Sequence, residues 1–134
     1  MDRLNAIDLV ERSSEPAFAI DGAHRIVAWN ACATRLWGLS HESTIGRNCY
    51  ALFSSHTPDG CPLCGPHCRA GACFQRDQPF SSPCVMTIEQ AGVTHAVHAS
   101  SIVLPGAPVV GVPKAIVFLS PLDALPHTPV GTAC

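Results

Sequence analysis

The sequence has few charged residues and no cluster of charge of one sign. Charged side chains make up 13% of its 134 residues, and the formal net charge is −2 at pH 7. The eight basic residues are scattered along the chain, whereas a nucleic-acid surface or an anionic membrane surface calls for clustered Lys and Arg. We therefore expect no direct binding to nucleic acid and no attachment to a membrane.

Long apolar runs are also missing. No uninterrupted apolar window approaches the ~18 residues that a membrane-spanning helix needs. The N-terminus, which begins Met1-Asp2-Arg3, lacks the apolar core of a signal peptide. These absences predict a cytoplasmic protein, and the chain length predicts one domain with a core of its own.

Motifs of the common enzyme classes are absent as well. There is no Gly-x-Ser-x-Gly, His-Glu-x-x-His, phosphate-binding loop or dinucleotide fingerprint. His67 next to Cys68 is weak evidence for a thiol nucleophile, because such a pair needs a third group to orient it. We expect no enzymatic activity. The alternative is a thiol-dependent redox enzyme or carrier, which turnover of a dithiol or peroxide substrate would reveal.

Residues 4–12 have the composition and spacing of a short amphipathic helix. Leu4, Ile7 and Val10 fall at helical intervals within it, and this apolar stripe is too small to be a core by itself. The stripe either covers a sheet or serves self-association. We expect a homodimer formed through this helix and the outer face of the sheet.

Turn signals divide the rest of the chain into strands and short helices. Asp21-Gly22 lies between two apolar runs and predicts a hairpin over residues 16–29. Asn30 stands where a helix N-cap belongs, and short helical pieces follow as far as residue 53. The predicted strands are residues 16–20, 25–29, 84–89, 93–104 and 114–119, the last of them nearly all apolar and therefore central in its sheet. This order predicts an α+β domain with one antiparallel sheet and helices packed on one face.

These segments resemble the PAS family. The resemblance rests on Ala19-Ile-Asp-Gly22, Ile26-Val-Ala-Trp-Asn30, Ala33-x-x-x-Trp37-Gly-Leu-Ser40 and Ile45-Gly-Arg47, in that order. It implies a five-stranded antiparallel sheet whose concave face, closed by short helices, holds a ligand or cofactor. The implied organisation is an N-terminal helix at 1–13, a PAS sensory domain at 14–121 and a flexible tail at 122–134.

The resemblance also implies a role in signal transduction. Members of the family usually regulate an output partner or an attached domain. A cysteine-rich subset found in transcriptional regulators and sensor kinases is more similar still, because it carries motifs like Gly46-Arg-Asn-Cys-Tyr50 and Cys64-Gly-Pro-His-Cys68. We therefore expect a sensor of a small ligand, of a metal or iron–sulfur cluster, or of redox state.

Residues 54–78 form a cysteine-rich loop without apolar periodicity. Four of the eight cysteines lie in it, at Cys61, Cys64, Cys68 and Cys73, and in a reducing compartment such a cluster indicates metal binding rather than disulfides. Four thiolates suit Zn²⁺ or a [4Fe–4S] cluster. Substitutes for one ligand are Cys49, Cys84, His56 and His67. The alternatives are buried thiols that only pack and a disulfide such as Cys64–Cys68.

Two residues outside the loop are candidates for holding a cofactor. Gly46-Arg-Asn-Cys49 overlaps the reactive-cysteine motif of flavin-binding photoreceptors of the family. Tyr50 and Phe53 replace the Arg and Gln of that motif, however, and the last strands lack the amides that read the flavin ring. His95 and His98 fall on opposite faces of one predicted strand, and we assign His98 as the imidazole that could ligate haem iron in the pocket. Haem and flavin rank behind zinc and the iron–sulfur cluster.

Overall fold

The computed structural model describes residues 5–63, 68–88 and 92–122. They form six antiparallel strands in one sheet, in the order β2-β1-β6-β5-β4-β3, together with short helices. The helices are α1 (Ala6–Glu11), α2 (Ala31–Trp37), α3 (His41–Thr44), α4 (Cys49–Leu52) and α5 (Arg69–Gln75). The strands are β1 (Ala17–Asp21), β2 (Ile26–Trp29), β3 (Phe53–His56), β4 (Ser82–Ile88), β5 (Val93–Val103) and β6 (Pro113–Pro121). The α+β class and the single antiparallel sheet are confirmed.

The strand β1 is buried on both faces because helical layers cover both. Phe18 and Ile20 point into the main core, while Ala17 and Ala19 point to the opposite face. This follows from the alternation of side chains along a strand. The neighbouring strand β6 lies between β1 and β5, which confirms the central position predicted from its apolar sequence.

Aromatic rings fill the centre of the main core. Phe53 stacks on Phe18 with ring centroids 5.6 Å apart and meets the edge of Trp37 at 5.2 Å. The ring centroid of Trp29 lies 6.0 Å from those of both Phe53 and Phe18. Such offset and edge contacts add about 0.5–1.5 kcal/mol per pair beyond the burial of apolar area.

The helix α1 packs on the outer face of the sheet, opposite the other helices. Ala6 and Val10 are buried there against Ala17, Ala28 and Ile116, among others. Ile7, by contrast, is 38% exposed. The predicted stripe is therefore divided: Val10 covers the sheet, Ile7 faces outward, and Leu4 lies outside the described residues.

Two elements occur where the sequence predicts none. The strand β3 pairs Phe53 with Ile88 and extends the sheet to six strands instead of five. The helix α5 lies within the segment predicted to be an irregular loop, and it buries Gly71 and Phe74 against the core. Local periodicity missed both because β3 alternates over only four residues and α5 is stabilised by distant contacts.

The side chain of Asn30 joins three elements. It is 3% exposed, and its Oδ1 accepts hydrogen bonds from the backbone N–H groups of Ala33 (2.8 Å) and Ala17 (3.2 Å). Its Nδ2 donates to the carbonyl oxygens of Val10 (2.9 Å) and Glu15 (2.8 Å). The predicted cap of α2 is therefore confirmed, and the same amide also holds the end of α1 and the start of β1.

None of the helices in the described part of the chain has the length and apolarity that a membrane-spanning helix requires.

Replacing Asn30 tests how much this amide stabilises the fold. We expect Asn30→Ala to lower the free energy of unfolding by about 2–3 kcal/mol, because a helix cap and buried backbone groups lose their partners. Asn30→Asp keeps the acceptor but loses both donated bonds, so its loss should be substantial too. Ser40→Ala removes the exposed cap of α3 and is the control, with a loss of about 1 kcal/mol or less. Urea unfolding measures all three, and equal losses for Asn30→Ala and Ser40→Ala would contradict the argument.

Candidate functional site

A cavity of about 90 Å³ lies between the concave face of the sheet and the segment that carries α4 and α5. Its lining is almost entirely apolar. Small side chains such as Ala99 and Gly71 leave the space open where a leucine would fill it. The lining residues are Phe18, Ile20, His24, Cys49, Phe53, Ser55, Leu63, Cys68, Ala70, Gly71, Phe74, Phe80, Cys84, Met86, Ala99, Ser100, Ser101, Val117 and Leu119.

Three cysteines reach this cavity from three different elements. Cys49 begins α4, and Cys84 lies on β4, where it is 2% exposed. Cys68 is a free thiol immediately before α5, and its sulfur accepts a hydrogen bond of 3.3 Å from the backbone N–H of Gly71. The structure therefore places the predicted cofactor residue Cys49 at the cavity, and it adds two sulfur atoms there.

The four predicted metal ligands do not form one described group. Cys61 is buried and disulfide-bonded. Cys68 lines the cavity, Cys73 is a half-buried free thiol on α5 that does not line it, and Cys64 is not described. Within residues 5–63, 68–88 and 92–122, no group of three or more His, Cys, Asp or Glu side chains is arranged to hold a metal ion. Ligation by all four cysteines stays a prediction, and it requires Cys61 to be reduced.

The two histidines of β5 lie on opposite faces, as their spacing predicts. His95 faces the helices: its Nε2 donates to the carbonyl oxygen of Leu36 at 2.9 Å, and its ring meets Trp37 edge-on. His98 shares a hydrogen bond of 3.1 Å with the Ser81 hydroxyl and does not line the cavity. The structure thus does not bring the assigned haem ligand, His98, to the cavity.

The histidine that does reach the cavity is His24, in the turn between β1 and β2. Its φ is +64°, an uncommon value for a residue with a side chain. Its Nδ1 is buried without a hydrogen-bond partner among the described residues. Burial lowers the pKa of His24 below its ordinary value of 6.5, and the nearby Asp21 carboxylate opposes that shift. Sequence reasoning missed His24 because nothing in the Asp-Gly turn signal distinguishes it from a solvent-facing loop residue.

Gly71 provides the space for the imidazole of His24. A Cβ atom on Gly71 would overlap Cε1 of His24, and it would lie 3.0 Å from His24 Nε2 and 3.3 Å from Cys68 Sγ. The imidazole and the Cys68 thiol therefore flank the same point. The rings of Tyr50 and His24 meet edge-on, with centroids 6.1 Å apart.

The turn that carries His24 is held by the carboxylate of Asp21, which is 3% exposed. Its Oδ1 accepts from the backbone N–H groups of Ala23 (2.8 Å) and Arg25 (2.9 Å), and its Oδ2 accepts from Gly111 (2.7 Å). The last bond ties the β5–β6 loop to the β1–β2 turn.

The buried ammonium group of Lys114 links the same loop to the end of α5. Lys114 donates to the carbonyl oxygens of Leu104 (3.1 Å) and Gly106 (2.6 Å), and it pairs with the carboxylate of Asp77 just after α5. Together with Asp21 and His24, it lines a second and smaller pocket. The β5–β6 loop is thus held to the β1–β2 turn by Asp21 and to the end of α5 by Lys114.

A single antiparallel sheet, short helices on its concave face and a small, partly open cavity between them define an α+β domain. Residues 8–60 match the family model described as the PAS fold. This match covers the N-terminal part of the domain, and together with the fold it confirms the resemblance to PAS domains seen in the sequence. No curated protein matches the sequence.

Solved structures share this fold across most of the chain. The PAS domain of an HTR-like protein from Haloarcula marismortui aligns with a TM-score of 0.62 at 14% identity, over 85% of this chain and 86% of its own. The PAS domain of nitrogen regulation protein NR(II) from Vibrio parahaemolyticus gives 0.60 at 10% identity, over 90% and 100%. The LOV protein of Rhodobacter sphaeroides gives 0.62 at 14% identity, over 91% and 67%. These TM-scores show that the chains share a fold.

The position of His24 predicts a dependence of stability on pH. The unfolded chain binds a proton at His24 near pH 6.5, whereas the folded chain binds it only at lower pH. Stability is therefore fully present above pH 6.5 and is lost as the pH falls through the folded pKa. We expect His24→Gln to flatten the change in unfolding free energy between pH 7.5 and 5.5, as measured by urea unfolding. The exposed His41 supplies the control His41→Gln, and an unchanged pH slope in His24→Gln would refute the assignment.

Proposed function

We propose that this chain is a sensory input domain whose signal is a small, mainly apolar molecule in the cavity beneath α5. The observation that carries the proposal is the cavity itself, since it lies on the concave face of the sheet and borders the cysteine-bearing segment. PAS domains of sensor proteins and of photoreceptors share the fold, which supports a role in signalling. An output partner or domain would respond to the change, and we expect no substrate turnover.

The volume of the cavity restricts the ligand. An engineered cavity of about 150 Å³ in another protein holds benzene, and a water molecule occupies about 30 Å³ of the liquid. A cavity of about 90 Å³ therefore suits a molecule of only a few heavy atoms. The ring systems of flavin and haem are far larger, so either would need α5 to move outward. The flavin photoreceptor is thus the less favoured alternative, even though Cys49 faces the cavity.

A direct route leads from the cavity to the outer surface of the domain. Phe18 on β1 and Val117 on β6 line the cavity, while Ala17 and Ile116, their neighbours in the same strands, contact α1 on the opposite face. Interiors are close-packed, so displacement of one face of a strand is transmitted to the other. Binding of a molecule in the cavity would therefore shift the position of α1.

A metal ion or iron–sulfur cluster on Cys61, Cys64, Cys68 and Cys73 is the second candidate signal. It is supported by the free thiols of Cys68 and Cys73, and it requires the disulfide of the buried Cys61 to be reduced. In this variant the metal would replace the small molecule as the signal. A thiol-dependent redox enzyme or carrier would instead show turnover with a dithiol or peroxide.

Filling the cavity tests the first candidate. Xenon is a suitable probe because it enters dry apolar cavities, and NMR detects it through chemical-shift changes of the lining residues. Because the leucine side chain occupies the space, we expect Ala99→Leu to weaken xenon binding at least about tenfold, or about 1.4 kcal/mol. In the wild type, the shifts should extend across the sheet to α1.

The matched control for this experiment is Ala96→Leu. Ala96 lies on the same strand but does not line the cavity, so xenon binding should be unchanged. If xenon causes no chemical-shift changes at the lining residues of the wild type, the proposal is wrong.

We further propose a homodimer that forms through α1 and the outer sheet face. Ile7 and Leu9 on α1 are 38% and 43% exposed, and Ile102 on the outer face is 47% exposed. These apolar side chains lie on or near α1, so a partner bound there would be affected by a movement of α1.

Light scattering at high micromolar concentration tests the dimer. We expect a dimeric wild type and a monomeric Leu9→Glu variant, because a charge in an apolar interface must be desolvated without a partner. Val110 is exposed too, but it lies in the β5–β6 loop. Val110→Glu is therefore the control and should stay dimeric. A strictly monomeric wild type would contradict the proposal.

A further inference from the structure

Phe80 differs from the other phenylalanines in the wall of the cavity. Phe18, Phe53 and Phe74 also line the cavity and are buried, whereas Phe80 is half-buried. It lies in the connection between α5 and β4, where residues 75–79 are all exposed. The ring of Phe80 can therefore turn into solvent without displacing a packed layer of the domain.

The pairing of β4 with β5 stops just before Phe80. The ladder between the two strands ends with Ser82 opposite Ala99, and in the same register Phe80 stands opposite Ser101. The backbone N–H and carbonyl oxygen of Phe80, however, bind the side-chain hydroxyl of Ser101, both at 2.7 Å. One hydroxyl group thus takes the place of the backbone ladder at this position.

Contacts of two other side chains anchor the connection on either side of Phe80. The carboxylate of Asp77 pairs with the buried ammonium group of Lys114. The hydroxyl of Ser81 shares a hydrogen bond of 3.1 Å with the imidazole of His98 on β5. The flanks of the connection are therefore held to the sheet independently of Phe80.

Between these anchors, Ser101 is the contact that holds Phe80 in place. Pro79 has no N–H to donate. Within the described part of the chain, the hydrogen bonds of Phe80 all end on the Ser101 hydroxyl. Breaking these two bonds exposes one N–H and one carbonyl oxygen to water, which satisfies both, so the net cost is modest. The ladder from Ser82 onward is left intact.

We propose that Phe80 is the gate of the cavity and that Ser101 is its latch. A ligand enters or leaves beside β5 when the two hydrogen bonds open and the ring turns outward, which is a local opening of the native state. The closed ring sets the upper limit on ligand size. The inference rests on the proposed role of the cavity as the input site, and it assigns the residue that selects small apolar molecules over ring compounds.

Benzene tests the size limit set by Phe80. Benzene fills an engineered cavity of about 150 Å³ in another protein, so it should not fit the wild-type cavity of about 90 Å³. Phe80→Ala removes a ring of the same size as the probe. In an NMR titration of the full chain, we expect benzene to shift the signals of buried lining residues such as Met86 and Leu119 in Phe80→Ala, and none of them in the wild type.

The matched control for this substitution is Phe118→Ala. Phe118 lies on β6 and packs on the opposite face of the sheet, where it is half-buried like Phe80. Its removal deletes the same ring without touching the cavity. Phe118→Ala should therefore exclude benzene as the wild type does.

The exchange rate of xenon tests the latch. NMR relaxation dispersion of the lining residues at partial saturation gives the association and dissociation rates. We expect Ser101→Ala to raise both rates about tenfold, because two hydrogen bonds of the closed gate are lost. The dissociation constant should change less than about threefold, whereas a general loosening of the cavity would weaken binding. Ser120→Ala removes a hydroxyl bonded to Glu15 and should leave both rates unchanged.

The outcomes separate the gate from the input site. Benzene binding by the wild type, or none by Phe80→Ala, would contradict the role of Phe80. Ser101→Ala keeps the ring and tests the gate however well Phe80→Ala folds, and unchanged xenon rates in it would contradict the latch. In each case, xenon binding by the wild type would leave the cavity as the input site. If xenon does not bind the wild type and benzene does not bind Phe80→Ala, both proposals are wrong.

Discussion

The buried carboxylate of Asp21 is the constraint on which the cavity wall depends. A carboxylate with 3% exposure is tolerated only when hydrogen bonds replace its water, and three backbone N–H groups do so here. Two of them close the β1–β2 turn and fix His24 with its positive φ. The third, from Gly111, draws the β5–β6 loop onto that turn. Without the Asp21 carboxylate, no side chain would hold the turn in the conformation that places His24 against Gly71.

The close approach at Gly22 reinforces the same junction. The N–H of Gly22 donates to the carbonyl oxygen of Val109 at 3.1 Å. A Cβ atom on Gly22 would overlap the backbone of Pro108 and Val109, so any larger residue would force the loop away. The turn dipeptide that marks the hairpin in the sequence thus has a second role that only the folded chain reveals: its aspartate and its glycine both bind the β5–β6 loop.

The sequence predicts the parts of the fold that depend on local rules. The hairpin around Asp21-Gly22, the cap at Asn30 and the central apolar strand β6 follow from turn chemistry, capping and hydrophobicity, and all three occur. The strand β3 and the helix α5 depend instead on partners far along the chain, so no local period indicated them.

The site divides in the same way. Cys49 and Cys68 were singled out by motif, and both reach the cavity. The tetrad with Cys61, Cys64 and Cys73 stays a prediction. The alternation of His95 and His98 was correct, but which of them faces inward depends on how the sheet is covered, and that is not encoded in β5 itself. His24 became a candidate only through its contact with Gly71, 47 positions along the chain.

The adjacency of β1 and β6 gives the domain a defined mechanical weakness. The N–H of Leu119 donates to the carbonyl oxygen of Pro16 at 2.8 Å, and Ser120 Oγ donates to Glu15 Oε1 at 3.0 Å. The start of β1 and the end of β6 therefore lie side by side in an antiparallel pair. A force that pulls residue 15 away from residue 120 stretches the inter-strand hydrogen bonds one after another, as a zipper opens, instead of all at once in shear. The domain should thus yield to small tension applied at these two points, beginning at the end of the sheet where α1 is attached.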